Sequence, residues 1–330
     1  TIALIDTPVD LSDPELAGAN IVDKSRCTLE PSQTSSPHGN SMAAILVSQQ
    51  YGVAPDATLY TYQTATDGAA SSGSCKQGTQ ELDTIANLIN QAIDDGAQII
   101  SISLSNNERS SEIKWAITRA INEGVIIVSS SGNEAIYDDF SHLGRWSGVV
   151  GVTAINTDGT FASYSSWGNG VVTAAVGGPV TIRDANTGEL TTTSGTSNAT
   201  ALVSGMLALA RQKWPEATTN QILQSLVHSG LNPNHEWNQY TGYGAIDGGG
   251  LVIDDPSQYP DENPLLNKPG GSEPTADEVA DYADGLINPA AERQVPDSYV
   301  YRGADDQVVL YLSDLKTPLH LGTSPRYHRK

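Results

Sequence analysis

Four residues of reactive type stand where a folded chain could hold them still. Asp6 follows the apolar run Ile2–Ile5, and Asn133 follows Val125–Val128 by way of Ser129-Ser130-Ser131-Gly132. His38 opens a segment with Met42, Ile45 and Leu46 at helical spacing, and Ser197 opens a second, more apolar helix in Ser194-Gly195-Thr196-Ser197. An acid, a base, a nucleophile and a carboxamide are therefore on offer. A serine hydroxyl is a weak nucleophile near neutral pH and needs an adjacent base. Imidazole, with an ordinary pKa near 6.5, is the side chain suited to take and return that proton. Singly, each residue says little: an aspartate after a strand is structural at least as often as functional, and a histidine at a helix start is usually a cap.

The elements around them give the four residues a common address. Short, nearly continuous Val and Ile runs at Ile2–Ile5, Ile99–Ile102, Val125–Val128 and Val149–Val152 suit strands covered on both faces. Helical patterns at Asp83–Ile93 and Ser111–Ile121 alternate with them, and Ala201–Ala210 is apolar nearly all round, as a central buried helix would be. This alternation predicts an α/β domain with a mostly parallel sheet over residues 1–250. Such sheets bind ligands beyond the carboxyl ends of their strands, the edge on which Asp6, Asn133 and the segment Ser103-Leu104-Ser105-Asn106 fall.

At these residues the chain resembles the subtilisin-like serine proteases, the subtilases. Ile5-Asp6-Thr7 with Pro14-Glu15-Leu16 is similar to the family's aspartate segment, and His38-Gly39-Asn40-Ser41-Met42-Ala43 to its histidine segment. Ser131-Gly132-Asn133-Glu134 resembles the oxyanion segment, and Gly195-Thr196-Ser197-Asn198-Ala199-Thr200 the nucleophile segment. Gly52-Val53-Ala54-Pro55 and Gly242-Tyr243-Gly244-Ala245-Ile246-Asp247 match further stretches, so six motifs stand in register. The resemblance implies a three-layer αβα fold and a serine endopeptidase working through a Ser197 acyl-enzyme. It makes His38 the general base, Asp6 the group that orients its imidazole, and Asn133 with the Ser197 backbone N–H the oxyanion donors. Ser103, Leu104, Ser105 and Asn106, with Ser131 and Gly132, would bind an extended peptide or protein substrate and line its P1 pocket. Ser105 and Asn106 replace the glycine usual after the leucine, which implies a narrower, more polar pocket floor. His142 and Arg145 precede the Val149 strand near where subtilases complete that pocket; His142 reads first as a solvated loop residue, with a specificity role as the alternative.

The departures are Pro8 after Asp6-Thr7, Asn40 for a common threonine, and Asn198, Ala201 and Leu202 after the nucleophile; none removes a reactive group. Ser197 does not sit in Gly-x-Ser-x-Gly, so an α/β-hydrolase does not fit. Pro8 breaks the Asp-Thr-Gly of aspartic proteases, and His38 with Asn133 disfavours a sedolisin. Asn198-Ala199-Thr200 matches a glycosylation sequon, but its place at the mouth of a buried helix argues against use. Two further classes stay in view: a peptide-maturation transamidase giving ligation or macrocyclisation, and a catalytically silent binding module.

Composition sets outer limits. The 330 residues carry 17 Lys+Arg against 38 Asp+Glu, a net charge of −21, a field that repels nucleic acid. No apolar run reaches the length of about 18 residues that a membrane span needs. The chemistry calls for no cofactor; Asp10, Asp13 and Glu15 raise a structural calcium but lack the spacing of a dedicated loop. Cys27 and Cys75 can form one disulfide or remain two thiols. An exported or cell-surface enzyme with its own propeptide in the precursor is expected. More than half of the 17 prolines lie beyond residue 250. Residues 251–274 accordingly read as a Pro- and acid-rich linker, and 275–330 as an extension with a short helix after Thr275 and a hairpin at Tyr299–Leu312.

Overall fold

The computed structural model describes residues 1–287 apart from 32–35, 65–69, 73–74, 78–79, 105–109, 138–141, 184–187 and 233–235. Seven strands form one sheet: β1 (Ile2–Asp6), β2 (Ile21–Asp23), β3 (Leu59–Gln63), β4 (Ile99–Ile102), β5 (Ile126–Ser130), β6 (Val149–Asn156) and β7 (Val171–Gly178). Their spatial order is β7-β6-β5-β4-β1-β3-β2, and every pairing is parallel.

The strand residues sort by parity, as a pleated sheet covered on both faces requires. Ile2 and Leu4 of β1 join Met42 and Leu46 of helix α1 (Ser36–Val47). Ala3 and Ile5 of the same strand join Ile89 of helix α2 (Ile85–Asp94) and Ile117 of α3 (Ser111–Asn122). Helix α4 (Thr196–Lys213) lies with α1, burying Ala199, Val203 and Leu207. The result is the three-layer αβα arrangement, with α1 and α4 on one face and α2 and α3 on the other. Each isoleucine fully removed from water contributes about 1.5–3 kcal/mol, so the sheet and its four helices are held as one rigid frame. Helix α4 reaches the centre because it is built from small residues: a Cβ on Gly205 would come 2.7 Å from Val53 Cβ.

Residues 251–274, expected from their composition to be a linker, are packed against this frame. Leu251 and Leu265 are buried, and Lys268 is buried with them. Ser147 and Gly148 N–H groups donate to the carbonyls of Glu273 and Leu265 at 2.9 and 3.1 Å. Prolines and glycines make the stretch turn often, but the apolar residues between the turns tie it down. Past helix α5 (Thr219–Ser229) and the short α6 (Gly248–Ile253), Thr275 and Glu278 form a capping box on α7 (Ala276–Ala283). Helix α7 lies on α3 through a Lys114–Glu278 ion pair of 2.8 Å and the stacked rings of Trp115 and Tyr282. The hairpin expected at Tyr299–Leu312 lies outside the described residues. Cys27 and Cys75 are joined as a disulfide. No described helix is long and apolar enough to cross a membrane.

Candidate active site

Asp6 is the last residue of β1 and its side chain is buried. One carboxylate oxygen, Oδ1, accepts the Thr7 N–H at 2.7 Å and lies 2.6 Å from His38 Nδ1. A carboxylate can only accept here, so Nδ1 carries the proton and Nε2 is left as the basic nitrogen. His38 stands in the first turn of α1, its side chain one-third exposed. What brings that turn to the end of β1 is Gly39: its N–H donates to Thr7 Oγ1 at 2.9 Å, and a Cβ there would collide with the Thr7 carbonyl. Asn40 secures the other side, accepting the Asp10 N–H at 2.9 Å and donating to Asp13 Oδ2 at 2.7 Å. Burial of the imidazole favours its neutral form, but the charge of Asp6 and the hydrogen bond to it outweigh that, so the His38 pKa lies above its usual value.

Ser197 is the second residue of α4 and is buried. Its hydroxyl donates to the Ser103 carbonyl, and the Ser103 hydroxyl donates back to the Ser197 carbonyl, both at 3.4 Å. Ser103 directly follows β4, and β4 pairs with β1 in parallel with Ile102 beside Ile5. Asp6 ends β1 and Ser103 follows the last residue of β4, so the two leave neighbouring strands at the same end of the sheet. The serine at the head of α4 and the Asp6–His38 pair are thus carried to adjacent strand ends.

Asn133 is oriented by the same helix. Its Oδ1 accepts the Thr196 N–H at 2.8 Å and the Thr196 hydroxyl at 3.0 Å. Because a backbone N–H must face oxygen, Nδ2 is turned away from these donors. A Cβ on Gly195 would lie 3.4 Å from Asn133 Nδ2 and 3.8 Å from Ser197 N. Glycine there leaves the chain bare beside the Asn133 carboxamide and the Ser197 nitrogen, at the positive end of α4. Asn198 reinforces the seat by donating to the Gly177 carbonyl of β7 at 3.0 Å, which also occupies the sequon's amide in a buried place.

Of the expected substrate-binding residues, Ser103 and Leu104 are buried at this edge, and Ser131 donates to the Ser166 carbonyl at 3.0 Å. Gly132 is buried; a Cβ there would collide with the Glu134 carboxylate and the His142 ring. His142 is thus a buried wall residue rather than a solvated one. Together with Ser131, Gly144, Arg145, Trp167 and Gly170 it lines a small cavity. Ser105 and Asn106 lie outside the described residues. Among the described residues no group of three or more metal-binding side chains is gathered. Asp10 accepts from Ser12, Asp13 from Glu15 N–H and Asn40, and Glu15 from Arg183.

Sequence reasoning missed Thr7, Asn40 and Gly195 as parts of the site. The signal available for Thr7 and Asn40 was their nearness in sequence to Asp6 and His38. For Gly195 it was a glycine at the start of an otherwise apolar helix.

Fold and site together define a class: a parallel three-layer α/β domain holding a carboxylate–imidazole pair and a helix-capped serine on one sheet edge. The chain belongs to the subtilase family, whose model matches residues 1–244. It is 30% identical over 261 residues to the thermostable alkaline protease of Halalkalibacterium halodurans, covering 76% of this chain and 65% of that protein's length. In fold it is similar to the prenylagaramide maturation protease PagA (TM-score 0.62, 24% identity, 76% of this chain and 91% of that one). It is similar too to fervidolysin from Fervidobacterium pennivorans, a keratinolytic enzyme related to subtilisin (TM-score 0.63, 24% identity, 79% of this chain and 42% of that one).

Proposed function

We propose that this chain is a serine endopeptidase that cleaves peptide bonds through a Ser197 acyl-enzyme. The observation that carries the reading is the 2.6 Å Asp6–His38 hydrogen bond, which leaves His38 Nε2 as the base at the strand end beside the segment that Ser197 touches. A peptide laid along Ser103-Leu104 and Ser131-Gly132 presents its carbonyl carbon to Ser197 Oγ. The hydroxyl proton passes to His38 Nε2 as the C–O bond forms. Negative charge develops on the carbonyl oxygen between Asn133 Nδ2 and the Ser197 N–H. Asp6 remains ionised and stabilises the imidazolium. His38 then protonates the departing amine, and water, deprotonated by the same nitrogen, releases the acid.

The Cys27–Cys75 disulfide supports an oxidising, extracytoplasmic setting, and we assign the enzyme there. A serine-directed fluorophosphonate should label the wild-type chain and leave Ser197→Ala unlabelled. Labelling that persists in that variant, or none in either, rejects the reading and favours a silent binding module. Product mass separates hydrolysis from ligation, since only hydrolysis adds a water to the fragments.

A further inference from the structure

Lys268 lies in the stretch whose composition suggested a linker, yet its side chain is buried. Its ammonium donates to three main-chain carbonyls: Gly144 at 2.5 Å, Val149 at 2.6 Å and Gly170 at 3.0 Å. Among the described residues these carbonyls, and no carboxylate, are its hydrogen-bond partners. A charged lysine has three N–H donors and no acceptor, so three carbonyls satisfy it completely. A neutral amine would turn a lone pair onto one of those oxygens. The cage therefore selects the ammonium, against the burial and the nearby Arg145 that push the Lys268 pKa well down.

The three carbonyls belong to three separate pieces of chain. Gly144 is in the single turn Leu143–Arg145 that follows His142, Val149 begins β6, and Gly170 precedes β7. The chain on either side of Lys268 is held to the same pieces: Gly170 N–H donates to Pro269 O at 2.6 Å and Gly148 N–H to Leu265 O at 3.1 Å. Gly144 and Gly170 line the same cavity as Ser131 and His142, and His142 presses its ring on Gly132. The geometry points to Lys268 as a positioning residue: its ammonium, brought in by residues 265–273, fixes the His142–Val149 wall and so sets which substrate side chain fits beside Ser131-Gly132. This rests on the peptidase reading for its consequence and on the carbonyl cage alone for its mechanics.

The test uses the full chain carrying Lys268→Met or Lys268→Ala, with active sites counted by fluorophosphonate. In Lys268→Met, hydrogen exchange over 142–149 and 170–171 should quicken by about tenfold or more while the β1–β4 amides keep their protection. The ratio of kcat/KM for two peptides differing only in P1, alanine against phenylalanine, should shift by about fivefold or more per titrated site. In Lys268→Ala, n-propylammonium should restore both readouts and n-propanol neither. Should both variants fail to fold, His142→Ala must shift the same ratio in an otherwise native chain. The inference is overturned by unchanged exchange in a folded Lys268→Met. It is overturned equally by a loss shared by both peptides with exchange quickened across the whole domain, or by an unmoved ratio in His142→Ala. A wild-type chain that the probe does not label defeats the peptidase reading and leaves the exchange and rescue measurements to decide the cage.

Discussion

The molecule holds two basic side chains by opposite means. At the candidate active site the His38 imidazole faces the Asp6 carboxylate, and its pKa rises. Under the His142–Val149 wall the Lys268 ammonium meets three carbonyl dipoles and no carboxylate among the described residues, and burial with the nearby Arg145 lowers its pKa. Both lose hydration; a full countercharge reverses the result of that loss and dipoles do not. The first arrangement makes a group that changes protonation in the course of a reaction. The second makes a fixed bolt, whose worth lies in meeting three acceptors at once.

Breaking the countercharge should give the larger effect. Asp6→Asn removes the charge that outweighs the burial of His38, and an amide in its place can stabilise the wrong tautomer. The expected loss in kcat is on the order of 10³–10⁴. The wild-type acid limb of kcat/KM should lie above the ordinary imidazole value, since the base works only when neutral and Asp6 delays its deprotonation. In Asp6→Asn that limb should move to lower pH. A limb that stays in place would show that another group titrates. The same pair has the opposite effect on stability: its contribution is fully present below the unfolded pKa and is lost as pH rises through the raised folded value. Chemical denaturation across that window should therefore show stability from this pair falling where activity rises.

Removing an oxyanion donor ranks second. Asn133→Ala should lower kcat by about 10²–10³ and leave KM nearly unchanged, because Nδ2 meets charge that exists only as the carbonyl is attacked. A change confined to KM would instead place Asn133 in ground-state binding. The variant also deprives the Thr196 N–H and hydroxyl of their acceptor, so its melting temperature should be measured alongside.

How much of this could be read from residues alone follows the same division. The placement of the candidate residues was legible because they follow apolar strand runs or open helices, and the parallel sheet sends such positions to one side. The frame was legible too: β4 has the bounds of the Ile99–Ile102 run, and α3 ends one residue beyond Ser111–Ile121. Lys268 was not. A lysine among prolines and glycines reads as solvated, and nothing local shows three carbonyls from residues 144, 149 and 170 converging on it. Whether Cys27 and Cys75 pair was open for a like reason, since it depends on a closure across 48 residues. His142 shared the difficulty: its burial against Gly132 is a property of the wall rather than of its neighbours in sequence.

Asn40 tests how far the catalytic edge depends on neutral support rather than on charge. It touches neither Ser197 nor the Asp6 carboxylate by any described hydrogen bond, yet it binds the first turns of α1 to the Asp10–Asp13 segment through two good hydrogen bonds. Asn40→Ala leaves the Asp10 N–H and one Asp13 oxygen to find new partners, at a cost of about 1–2 kcal/mol. That loss should appear as a lower urea midpoint with an unchanged slope. Because Gly39 still holds α1 to Thr7, the Asp6–His38 pair should persist, and the acid limb of the pH profile should keep its position while kcat falls only a few-fold. A limb displaced toward that of Asp6→Asn would mean that the imidazole had swung off its carboxylate. The hydrogen bonds of Asn40, rather than the Gly39 approach, would then be what holds the base in place.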